Sequence, residues 1–131
     1  MKLPHHCSYL TIGPERGKTK TKPVEDVKWL FETQGESGCI IVSSSKVVPA
    51  AGTDADKDVQ PPHRQAANYC RDVVSNKDGE FVVTMEHPKQ SDPKPVEVEI
   101  SGLGAKLKKK QFVGAAAVTS VVAPRAGVRA G

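Results

Sequence analysis

Several groups of residues in this chain have types that could do chemistry. Gly13-Pro-Glu-Arg-Gly17-Lys18-Thr19 comes close to a phosphate-binding loop. Such a loop needs four residues between its glycines, so that backbone amides wrap the β-phosphate. Here there are three, including a proline and an acid, and the helix signal begins only at Pro23. Asp54, Asp56 and Asp58 have the spacing that opens a calcium loop. The sixth position, which needs glycine, is Val59, and the twelfth, which needs glutamate, is Gln65, so an acidic loop is expected. Gly102-Leu-Gly104 places the third glycine of a dinucleotide fingerprint on Leu107, and that reading fails too.

Histidine, cysteine and serine give no stronger pattern. His5, His6 and Cys7 are metal-capable, but a closed zinc site draws four ligands from two spaced pairs. His63, His87, Cys39 and Cys70 are scattered. Ser43, Ser44, Ser45 and the three cysteines lie in no nucleophile signature. His63, after Pro62, reads as a surface residue of a first helical turn. Cys39 and Cys70 read as small buried hydrophobes. An odd, widely spaced cysteine set argues for a reducing compartment. The expectation is a protein that is not an enzyme, with no catalytic residue, cofactor or metal.

Charge is sorted by position. Residues 1–22 carry five basic side chains and one acid, a net +4. Residues 101–131 carry six basic side chains and no acid, and the middle nets −6. Basic ends suit a polyanion or a larger assembly. The expected polyanion-binding residues are Lys18, Lys20, Lys22, Lys106, Lys108, Lys109 and Lys110. No aromatic residue sits among Lys106–Lys110 to stack a base. No apolar run reaches the roughly 18–20 residues that span a bilayer, so no membrane partner is expected.

The elements that would carry these residues follow from periodicity. Residues 1–22 read as an extended basic arm, with Tyr9–Ile12 as an edge strand and a solvated Lys/Thr tract. Pro23, Glu25 and Asp26 open a helix over 23–34 whose apolar face is Val24, Val27, Leu30 and Phe31. Strands are expected at 38–42 and 47–51, the second at an edge because of Pro49. A helix over 61–75 carries Ala66, Ala67, Tyr69, Cys70, Val73 and Val74 on one face. Strands follow at 80–86 and 96–100, separated by a proline-rich loop. Phe112–Val122 reads as a strand or a short helix before a basic tail at 123–131. Strand pairs between helices predict an α/β sandwich with an antiparallel sheet. The domain spans 23–122.

Residues 24–49 carry a family pattern. Val24-Glu-Asp-Val-Lys-Trp-Leu-Phe-Glu-Thr-Gln-Gly-Glu-Ser-Gly38, then Cys39-Ile-Ile-Val42, a polar turn and Val47-Val-Pro49, resembles the opening of Roadblock-type dynein light chains. The resemblance implies a Roadblock-like (profilin-like) sandwich, its central antiparallel sheet flanked by helices. It also implies a non-catalytic subunit that dimerises, as a homo- or heterodimer, through the 80–86 strand and the second helix. Tyr69, Val73, Phe81, Val83 and Met85 would form that interface, and a dynein intermediate chain would be a partner. A dynein or flagellar complex, in a cytoplasmic, cytoskeletal or flagellar location, is then expected, with the arms on acidic surfaces such as tubulin tails. The basic ends alone support an alternative, an RNA-binding subunit of a ribosome or mitoribosome.

Overall fold

The structure, a computed structural model, describes residues 1–108. The expected element at 112–122, the tail at 123–131, Lys109 and Lys110 lie outside the described residues. The first apolar pattern forms a helix, α1 (Glu25–Lys28), which widens into a π-turn over Trp29–Thr33. The wider turn changes the buried face: Phe31 is buried, while Trp29 and Leu30 are exposed. The second helix, α2 (Arg64–Ser75), starts later than expected because Pro61 and Pro62 stay outside it and His63 is its N-cap. All six residues of its predicted apolar face are buried.

The α/β class holds, but the antiparallel sheet does not. β1 (Lys2–Leu3), β2 (Ile40–Ser43) and β3 (Glu80–Val83) form one sheet in the order β1-β2-β3, and both ladders are parallel. Lys2 pairs with Val42 and Ile40 with Glu80. The expected strand at 47–51 is absent. Pro49 has no N–H to donate, and the Val48 N–H goes to the Glu86 carboxylate at 2.8 Å instead of to a strand. β2 therefore has no hairpin partner, and α2 carries the chain over to a parallel neighbour.

A tight approach sets the entry to β3. A Cβ on Gly79 would lie 2.2 Å from the Cys39 carbonyl oxygen. β3 ends at Val83, earlier than expected, and Thr84–Glu86 forms a 3-10 turn that leaves Met85 exposed. The strand expected at 96–100 is β4 (Val98–Ser101), and Gly102 and Leu103 form a turn after it. It leads to β5 (Gly104–Leu107), antiparallel to β4, so the basic run begins inside a strand.

The segment expected as an extended arm, 1–22, packs into the body. Leu3, Cys7, Ile12 and Thr21 are fully buried. Tyr9–Thr11 is a 3-10 turn rather than an edge strand. The Lys/Thr tract exposes its lysines while its backbone is held by α2. The Lys18 carbonyl accepts from Arg64 and Gln65, the Thr19 carbonyl from Asn68, and the Thr21 N–H donates to the Gln65 carbonyl. Within the tract Thr21 alone turns inward, while Thr19 and the lysines stay exposed. Both helices and the 1–22 segment share one core with Ile41 on one face of the sheet. Ile40, Val42 and Val82 form a smaller cluster on the other face, under Leu107 and Val96 of the hairpin region.

Candidate functional site

The carboxyl ends of the three parallel strands lie at one edge of the sheet. After β1 the chain passes through His5, His6 and Cys7, at φ of +50°, +53° and +66°. Three consecutive non-glycine residues in the left-handed region are rare, and each costs about 1–2 kcal/mol. The turn brings the His6 Nδ1 to 2.6 Å from the Ser44 carbonyl oxygen, so Nδ1 carries the proton and Nε2 is left without a partner among the described residues. His6, Ser44, Ser45, Lys46, Gln60, Pro61, Thr84 and Met85 line an open crevice of about 580 Å³ there.

A buried polar chain lies behind this crevice. Burial pushes the pKa of the Cys7 thiol up to about 11, the neighbouring Ser43 hydroxyl offsetting part of the rise, so the thiol stays protonated. The Ser43 hydroxyl is 2.8 Å from that of Ser45, and Ser45 donates to the Lys46 carbonyl at 3.0 Å. With the Ser45 proton committed to the Lys46 carbonyl, Ser43 donates to Ser45. Burial raises the Cys70 pKa as well.

His63 is not the surface residue that its position after Pro62 suggests; only 4% of it is exposed. Its Nδ1 accepts from the Tyr9 N–H at 3.1 Å, and its Nε2 therefore donates to the Val59 carbonyl at 3.0 Å. The ring also meets Tyr9 edge-on. Desolvation lowers its pKa. Among the described residues no serine hydroxyl or cysteine thiol is hydrogen-bonded to an imidazole ring. The acidic loop 54–58 contains a 3-10 turn (Ala55–Lys57) anchored by the Arg64–Asp56 ion pair at 2.9 Å. Arg64 beside Asp56, with the Gly52 N–H, holds that carboxyl below its usual range. Among the described residues no group of three or more His, Cys, Asp or Glu side chains could hold a metal ion.

A second groove lies along β3, which pairs with β2 alone. The Glu80 N–H donates to the Cys39 carbonyl, and in a parallel ladder alternate residues address the neighbour. The peptide groups of Phe81 and Val83 therefore face the open edge. The groove there is about 390 Å³, walled by Pro88, Pro95, Leu107 and Lys108 among others.

The residues expected at an interface separate in the fold. Tyr69 and Val73 are core residues, because they occupy the inward face of α2. Tyr69 stacks on Phe31 and donates to Glu32 at 2.9 Å. Val83 is buried, Phe81 is half-buried under the Arg71 guanidinium, and Met85 is exposed. Of the expected polyanion-binding lysines within 1–108, Lys20 pairs with Asp72, and Lys108 lies 3.7 Å from Glu97. Lys106 sits opposite Glu99 in the hairpin. Lys18, Lys22 and Lys106 are exposed. The crevice was not anticipated from the sequence, because β1 is two residues long and carries no strand signal. No family model, curated protein or solved structure matches the chain. Among the described residues no helix is long and apolar enough to cross a membrane.

Proposed function

We propose that the chain is a non-catalytic assembly or adaptor subunit that docks a second copy of itself along the open edge of β3. The observation that carries this reading is that edge: two outward-facing peptide groups beside a groove whose walls mix apolar residues with charged ones such as Glu97 and Lys108. An extended segment adds to such an edge through main-chain hydrogen bonds, and neighbouring pockets take its side chains. The reading keeps the assembly role with its dynein or flagellar setting and cytoplasmic location, but not the antiparallel Roadblock-like sandwich, and an intermediate-chain segment is the next candidate for the same edge. It moves the contact off α2, whose Tyr69 and Val73 are committed to the core. The RNA-binding alternative has less support, because glutamates face Lys106 and Lys108 across the hairpin.

The test is sedimentation equilibrium over a range of concentrations, on the wild type and on Val83→Pro. Proline removes an N–H that faces the open edge, not the β2 ladder. The wild type is expected to dimerise and the variant to stay monomeric with an unchanged far-UV spectrum. Dimerisation that survives Val83→Pro contradicts the proposal, as does a wild type that is monomeric at every concentration reached.

A further inference from the structure

We infer that the crevice at the carboxyl ends of β1–β3 binds a tetrahedral oxoanion, a phosphate group free or carried on a larger molecule. The inference is independent of docking at the β3 edge. Its charge is one-sided: Lys46 lines the crevice, no carboxylate does, and Lys46 has no ion pair among the described residues. Main-chain donors are available as well. The N–H groups of the lining residues His6, Ser45 and Lys46 have no acceptor among the described residues. Unpaired N–H groups are uncommon in folded chains, and successive N–H groups in turn conformations form anion-binding concavities.

The turn that presents these donors is costly, since His5, His6 and Cys7 all sit at positive φ. Such strain persists where the surroundings over-determine it, and it clusters at ligand clamps. Here the surroundings are visible. The Cys7 thiol neighbours the Ser43 hydroxyl, the Cys7 carbonyl accepts from the His63 N–H, and His6 is tied to the Ser44 carbonyl. The carboxyl ends of parallel strands are also where open α/β sheets bind ligands. The order β1-β2-β3 has no reversal, so in this sheet the crevice is opened by the left-handed turn rather than by a switch point.

Inorganic phosphate is the probe, titrated into the full chain at constant ionic strength with chloride as the control anion, and followed by amide NMR. Saturable shifts are expected at residues 5–8, 44–46 and 84–85. Lys46→Gln is expected to weaken binding roughly tenfold, the loss of one charge-assisted contact. Tighter binding of phosphoserine than of phosphate assigns the group to a phosphorylated partner; equal binding assigns it to free phosphate. The inference is overturned if chloride reproduces the shifts, if they centre on Lys18–Lys22 or Lys106–Lys108, or if folded Lys46→Gln binds as the wild type does.

Discussion

His63 shows how one side chain ties distant segments together. Its ring joins the Tyr9 turn to the loop ending at Val59, and both ring nitrogens are engaged only in the neutral Nε2–H form. Protonation puts a hydrogen on Nδ1, where the Tyr9 N–H already points. Burial lowers the pKa in the folded state below the ordinary 6.5. The unfolded chain therefore binds more protons as pH falls below about 6.5, and stability declines there. The contribution is full above that pH and shrinks until the folded pKa is passed. Melting temperature is expected to drop between pH 7 and pH 5. His63→Gln keeps a donor for Val59 but strands the Tyr9 N–H, which costs about 1–3 kcal/mol at neutral pH. Melts of this variant should lose most of the drop between pH 7 and pH 5. An equal slope in both proteins would place the titrating group elsewhere. None of this was legible at Pro62-His63, because the partner N–H lies more than fifty positions away.

The elements divide by how local their signals are. α2 was readable from spacing alone, since its burial repeats every three to four residues. β2 was readable as a buried strand from its continuous β-branched run. Its direction relative to β3 was not, because that depends on whether 47–51 pairs, and a side chain of Glu86 decides it. The β4–β5 hairpin is amphipathic beyond what the body covers. Leu107 is buried against Ile40 and Val82, whereas Ile100 is 80% exposed on the same hairpin face. Leu107→Ala should cost about 2–5 kcal/mol, and Ile100→Lys should stay within about 0.5 kcal/mol. Urea unfolding of both variants checks the contrast; equal costs would mean that the hairpin is packed along its whole length.

At the scale of the whole molecule, the segregated charge is partly a folding device. The basic 1–22 segment crosses an acidic body, and Lys20 meets Asp72. Exposed pairs like this add little each, so apolar burial of Leu3, Cys7 and Ile12 does most of the holding. Composition alone marked these residues as an arm, since lysines and prolines separate the few apolar positions that go inside. Deleting residues 1–22 is expected to abolish the cooperative thermal transition, followed by near-UV circular dichroism. A truncated chain that melts within a few degrees of the full one would show that the segment only coats a self-sufficient domain.

The two parallel ladders have a kinetic consequence. Lys2 meets Val42 and Ile40 meets Glu80, so each ladder closes a span of 40 positions, 2 to 42 and 40 to 80. Both closures use β2. Neither can begin before Ile40–Ser43 is extended, and each must meet the entropy of a long loop before its contacts repay it. Folding of this small chain is then governed by the wait for one four-residue strand to find two distant partners, with α2 forming early and the β4–β5 hairpin closing locally on its own.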